Sequence, residues 1–455
     1  ASSATPESSK DEGDAIQQPK VVTEESDAEV ELKQKYGEPV AVSGQEQLYR
    51  VDETHFVTHI GSDIKTYVDQ DGVEVPVDLS LYSYHADGHH YYLPKESPVG
   101  VVLPSRVEEE TPIDIIHKDE KISLYPLDKT YDQATVEKNA ILYNNVEGKT
   151  DVQYTVQSNG VKEEIVLAEW GGKNRFTYGL DAGRYDVSLE NNQVLVREKG
   201  KSRVLFVLTA PLMVDAAGAT SQDVTLELSE KSGKYQVTVI AGKDWLSSKE
   251  RQYPVRIDPT VTVPREQILN SVTSTVHGRY LGLGYGYVGY LDVDMIGMTG
   301  VPGVRDIGRS RIYFKINYDF KQNIPSEARI DSATLNLYQY TSPGNTGTQF
   351  GAYRLTEDFD IHTITWDSSV TLGREIAGEH AISAKATPAE NYKKMHRFDI
   401  RETVNGWVQG LYPNYGLVVA ATDEGADGGA FYTTEATAEN AGQIGFTPDK
   451  APSLT

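Results

Sequence analysis

Cysteine is absent from this sequence of 455 residues. That excludes a disulfide framework, thiolate zinc sites and thiol nucleophiles. No stretch of about 18 apolar residues occurs, so no membrane-spanning helix is expected. Basic residues are in deficit, 43 Lys and Arg against 67 Asp and Glu, for a formal net charge of -24. Binding to phosphates needs a basic face, so no nucleic-acid partner is expected. An acidic surface favours solubility and collects divalent cations. Catalytic signatures are missing as well: there is no G-x-S-x-G elbow and no H-E-x-x-H helix. None of the acids stands in a distinctive apolar setting that would raise its pKa for acid catalysis. The expectation is a protein that is not an enzyme.

What is abundant points to strands. The chain holds 28 Tyr and 39 Gly but only 4 Met; flat rings pack on pleated surfaces and Gly supplies turns. Residues 1–42 are acidic and rich in Ser, Pro and Gln, so they are expected to form a disordered tether, with helical composition only from Thr23 to Tyr36. The opening Ala is read as a mature N-terminus left by signal-peptide removal, or a cloning boundary, either compatible with export. From there to residue 262 the text is β-rich. In DVQYTVQSNGVKEEIVL, Val152, Tyr154 and Val156 alternate, a turn is expected at Asn159-Gly160, and Val161, Glu163 and Ile165 resume the alternation. Further turns are expected at Asn191-Asn192 and near Gly200. A division of 43–262 into two subdomains near 118–140 stays open, and Asp258-Pro259-Thr260 with Pro264 marks its end.

Residues 263–455 read as a jelly-roll-like β-sandwich with one short helix, which makes the whole an all-β protein of antiparallel sheets. Ile312, Phe314 and Ile316 point one way and Arg311, Tyr313 and Lys315 the other; Ala333, Leu335 and Leu337 face the core, with Tyr338 and Tyr340 opposite. GLVVAA from Gly416 suits a central strand. FDIRETVNGWVQGL predicts the helix: Asp399 and Glu402 have capping-box spacing, and Ile400, Val404, Trp407, Val408 and Leu411 form its apolar face.

Candidate binding residues are aromatic or acidic. Tyr285, Tyr287 and Tyr290 lie in a Gly-rich stretch, and Tyr313, Tyr338 and Tyr340, with Arg311 beside them, fall on outward faces. Such rings stack on the apolar faces of sugars, and ordinary cross-strand packing is the alternative. Asp292 and Asp294, and the Gly-rich loop with Asp423, Glu424 and Asp427, suit calcium or a solvated acidic loop; no cofactor is required. GYGYVG, Gly284 to Gly289, matches a dinucleotide fingerprint formally, but an alternating strand follows it where a helix is needed. His85, His89 and His90 beside Tyr91 and Tyr92 read as a polar turn entering a strand rather than a zinc site, and His55 and His59 take the same discount.

The blocks RSRIYFKI, IPSEARIDSATLNLYQY, YRLTEDFD with ITWDSS, FDIRETVNGWVQG, NYGLVVAATDE, FYTTEA and APSLT resemble, in this order, the DNRLRE-type domain, also called the family 96 carbohydrate-binding module. The resemblance implies a secreted, non-catalytic sandwich that binds cell-wall or extracellular polysaccharide. The family's last strand runs further, so the strand ending at Thr455 is expected to be cut short. Upstream, IKTYVDQDGVEVPVDLSL, YNNVEGKTDVQYTVQSNGVKEEIVL, TAPLMVDAAGA and YPVRIDPT resemble the N-terminal region of Gram-positive wall-associated Rhs/YD-repeat proteins of the polymorphic toxin type. That implies a secreted protein of the cell wall or surface, and the alternative role of an assembly module docking on a YD-repeat shell or a partner chain.

Overall fold

A computed structural model describes residues 26–264, 274–278, 293–301, 305–316, 318–341, 350–359, 380–382, 393–421, 429–432 and 447–455. The protein is all-β, built from antiparallel sheets with a few short helices.

The central part holds two large sheets over one core. An eight-stranded sheet runs from the strand Val224–Lys231 at one edge to Asp78–Ala86 at the other, and an eleven-stranded sheet is built around the hairpin Thr150–Gln157 and Gly160–Leu167. A single contiguous apolar cluster extends from Leu81 to Val263 and crosses the 118–140 stretch without a break. The expected turns at Asn191-Asn192 and in the Thr150–Leu167 hairpin both form, the second one residue early. Gln157 pairs with Gly160, so Ser158 and Asn159 make the turn. Gly160 is required for another reason: a Cβ there would lie 1.9 Å from the Val261 carbonyl oxygen of the neighbouring strand.

In the C-terminal part, Ile312, Phe314, Ile316, Leu335 and Leu337 are buried together as expected, and the helix Arg401–Gln409 packs Val404, Trp407 and Val408 against them. The strand Leu417–Ala421 lies in the middle of its five-stranded sheet, between Ile312–Ile316 and Phe350–Arg354. Two details of the helix are corrected. Ile400 occupies the N-cap and no side chain caps the helix; Asp399 instead accepts from the Arg401 amide at 3.0 Å, and Glu402 pairs with Arg401. Leu411 follows the left-handed Gly410 that ends the helix and is exposed.

Sheet membership crosses the expected domain boundaries. Within the segment expected to be a tether, Ser26 and Glu29 form a capping box that starts the helix Asp27–Tyr36. The meander Ala41–Ser43, Glu46–Arg50 and Phe56–Ile60 then extends the C-terminal sheet. Ile60 pairs with Leu454, and the strand Ser453–Leu454 pairs on its other side with Leu335 and Asn336. Side chains fasten this clasp: Ser62 Oγ donates to the Pro452 carbonyl at 2.6 Å, and His59 Nδ1 lies 2.8 Å from Thr455 Oγ1.

Candidate functional site

The residues expected to bind ligand are dispersed. Tyr285, Tyr287, Tyr290, Asp292, Asp423, Glu424 and Asp427 lie outside the described residues, and for Asp294 and Tyr340 only the strand backbone is described. Arg311 is half-buried. The outward placement of Tyr313 is corrected: it is 5% exposed, in an apolar cluster with Tyr353, Leu355, Phe359 and Val418. The segment around Phe359 covers that face of the sheet, where Lys315 bonds the Phe359 carbonyl at 2.6 Å and lies 4.8 Å from the centroid of its ring. Tyr338 is half-buried, stacked 5.9 Å from Tyr432 with Lys450 Nζ 5.2 Å from its centroid. Its ring is thus engaged within the protein.

A different surface stands out. The strands Asp78–Ala86 and His89–Glu96 form a hairpin at the edge of the eight-stranded sheet. Its two-residue turn, Asp87-Gly88, has φ of 50 and 77, the left-handed pair that suits the right-handed twist of the strands. Seven of the eleven residues from Tyr82 to Tyr92 are Tyr or His, and Asp87 is the single carboxylate among them. Register sorts the rings onto two faces, because directly opposed residues share a side. Tyr84 opposes Tyr91 and Ala86 opposes His89, which puts Tyr82, Tyr84, His89 and Tyr91 on one face. Ser83 opposes Tyr92 and His85 opposes His90 on the other. Tyr82 and Tyr84 are 40% and 50% exposed, and Ser83, His85 and His89 are exposed too, so the tip stands clear of the body as an arm. Its base is held by Leu81 in the core and by Ser105, whose amide donates to the His90 carbonyl at 2.8 Å.

The arm's electrostatics differ between its faces. The tyrosine face is amphipathic, with flat rings about 7 Å apart along the strand, two residues of rise. On the other face the His85 and His90 rings stack 4.2 Å apart, and His90 Nε2 lies 2.6 Å from Ser83 Oγ. Partial burial, with His85 as a lesser contributor, lowers the pKa of His90 below the usual imidazole range. The histidines were legible in the sequence as a group, whereas Tyr82 and Tyr84 were not. The available signal was an Asp-Gly pair flanked on both sides by ring-bearing residues at period two.

His55 and His59 have structural partners. His55 Nδ1 lies 2.8 Å from Asp52 Oδ1 on the surface, and His59 is buried in the clasp. Among the described residues, no three of His, Asp and Glu converge into a metal-binding group.

These features define an all-β antiparallel scaffold that carries a projecting aromatic arm. No protein-family model matches the chain. The chain is similar to the tRNA nuclease WapA of Bacillus subtilis (strain 168), with 32% identity over 151 residues, 31% of this chain and 6% of that protein. It is likewise similar to the tRNA3(Ser)-specific nuclease WapA of Bacillus spizizenii, at 31% identity over 151 residues, with the same shares. The match thus spans about 6% of the length of these curated relatives. A hypothetical protein from Synechocystis aligns over 85% of this chain and 83% of its own at 9% identity and a TM-score of 0.10, too low to carry an argument.

Two expectations are corrected by these relatives. Composition and motifs predict no enzyme and no nucleic-acid partner, yet the proteins this chain is similar to are nucleases that act on tRNA. Net charge is an average over the whole chain, and neither a local basic face nor a small catalytic group has to show in it.

Proposed function

We propose that this chain is the wall-associated, cell-surface scaffold of a protein of the tRNA-nuclease toxin type, and that its aromatic arm holds it to wall or extracellular glycan. The observation that carries this reading is the likeness over 151 residues to the WapA nucleases. The exposed Tyr82 and Tyr84 supply the surface for the glycan part. A sugar ring laid on a phenol buries its C–H face, while the hydroxyls of both remain wet. Among the described residues, no helix is long and apolar enough to cross a membrane.

Sedimentation of the chain with purified Gram-positive walls and with a panel of polysaccharides tests the glycan part. Retention is expected, with Tyr82→Ala/Tyr84→Ala weakening it about tenfold or more, since each stacked ring contributes about 1 kcal/mol beyond its area. No retention on any wall or polysaccharide would sink the glycan reading. Incubating the native full-length protein with tRNA tests the other part: cleavage is expected, and intact tRNA would overturn it.

A second reading, docking on a YD-repeat shell or a partner chain, is favoured by one observation. The strand Asp78–Ala86 ends its sheet and is exposed over Tyr82–His85, so its outer edge is open to an added strand. Tight co-elution of the chain with the YD-repeat polypeptide, without glycan binding, would favour it.

A further inference from the structure

We propose that His85 and His90 form a two-imidazole site for a late first-row divalent cation, with Cu(II) the preferred ion. The inference concerns the face of the arm opposite the tyrosine platform and does not depend on the glycan reading. In the sequence, the visible spacing was His85 to His89, which would suit a helix. On the hairpin that pair falls on opposite faces, and the pair brought together is His85 with His90, directly across the ladder. Their ring centroids are 4.2 Å apart. A metal bound by two imidazoles needs each nitrogen at about 2.0–2.1 Å, and because the stacked rings hold their in-plane lone pairs nearly parallel, binding requires the rings to turn out of the stack about their Cβ–Cγ bonds.

Three further features favour a cation here. His85 is exposed, which leaves an entry path and room for water to complete the coordination shell. The hairpin is fixed at both ends, by the Asp87-Gly88 turn and by the Ser105 contact to the His90 backbone, so little ordering is needed on binding. The Ser83 hydroxyl at 2.6 Å from His90 Nε2 selects which nitrogen of that ring faces the metal: with Nε2 held by Ser83, Nδ1 is the free donor. Two nitrogen ligands on a site open to water suit Cu(II) best in the ordinary affinity order of divalent metals, with Ni(II) and Zn(II) behind. The surplus of acidic residues adds a field that draws cations to the surface.

Titration of the full chain with CuCl2, followed by calorimetry and by electron paramagnetic resonance, tests the site. One saturable ion per chain is expected, with a spectrum showing coupling to two imidazole nitrogens. His85→Gln and His90→Gln should each weaken binding about tenfold or more and reduce that coupling to one nitrogen. Neither ring belongs to the apolar core and the Ser105 contact to His90 is through the backbone, so the metal-free unfolding temperature should stay unchanged, which separates ligand loss from misfolding. Tyr82→Ala/Tyr84→Ala should bind Cu(II) like the parent, whether or not it has lost glycan. Absence of saturable binding in the parent, or undiminished binding in the His85→Gln/His90→Gln variant, would overturn the proposal.

Discussion

Glu163 shows what one residue in the wrong medium does. The alternation of its strand sends it inward, opposite Tyr154, in the core that also holds Tyr131 and Tyr178. Tyr154 bonds its carboxyl, while Glu163 Oε2 and the Tyr178 hydroxyl find no partner among the described residues. Burial pushes its pKa up to about 7, which corrects the expectation that no acid stands in an apolar setting that raises it. At pH 4 folded and unfolded chains both hold this proton. Between the ordinary value and about 7 only the folded chain does, so its contribution to stability falls as pH rises through that window, by about 3 kcal/mol in all. Three imidazoles act oppositely. Burial holds His59, His117 and His396 each down to about 4. The unfolded chain takes up protons below the ordinary 6.5 that the folded one refuses, so stability is lost as pH falls from there towards 4. Urea unfolding of the parent and of Glu163→Gln at several pH values isolates the carboxyl. The variant should gain on the parent by about 3 kcal/mol between pH 4.5 and 8; a constant difference across that range would show that Glu163 does not hold its proton in the fold. Lys162, the preceding residue, faces the other side of the sheet. It is almost fully buried yet sits 2.9 Å from Asp258, with Glu164 at 3.8 Å, so its charge is matched where that of Glu163 is avoided.

At the scale of the element, two glycines in hairpins do different jobs, and the difference is measurable. Gly88 supplies a positive φ in the arm's turn, with nothing within 4 Å of where a Cβ would stand. Gly88→Ala should cost only about 1 kcal/mol, the strain of a left-handed backbone in a residue with a side chain. Gly160 is at a strand start against the neighbouring strand's backbone, and Gly160→Ala should cost about 3 kcal/mol or more, because Val261 cannot move without breaking its ladder. Chemical denaturation of both variants checks the contrast; equal losses would mean the sheet yields at Gly160. The helix Arg401–Gln409 teaches a related point. Its existence and its apolar face, Val404, Trp407 and Val408, were legible from spacing. Its cap was not, because a capping box depends on where the chain enters the helix, and here Ile400 is held by the Ala333 carbonyl.

At the scale of the whole molecule, the N-terminal segment and the C-terminal strand stabilise each other. Ser453–Leu454 is two residues long and is paired on both sides, by Ile60 and by Leu335. Glu29, buried in the first helix, meets Lys65 at 3.4 Å behind it. Ile60→Ala should therefore cost about 2–4 kcal/mol through its lost packing. Hydrogen exchange should show the effect as faster exchange at Thr334, Leu454 and Thr455, with the arm around His90 unaffected. Faster exchange confined to residues near Ile60 would mean the clasp does not hold the C-terminal strand.

What the sequence determined by itself was whatever repeats locally. Period-two alternation identified Ile312, Phe314, Ile316, Leu335 and Leu337 as core, and paired turn residues identified hairpins, because burial on one face of a strand leaves its mark every second residue. The tertiary structure alone decided which surfaces stay bare and which residues meet across the chain. Tyr313 alternates outward yet is covered by the segment at Phe359, while Tyr82 and Tyr84 stand exposed at a sheet edge. The clasp between Ile60 and Leu454 depends on register between strands distant in the chain, which no local pattern of residues encodes, whereas the meeting of His85 with His90 follows from the two-residue Asp87-Gly88 turn.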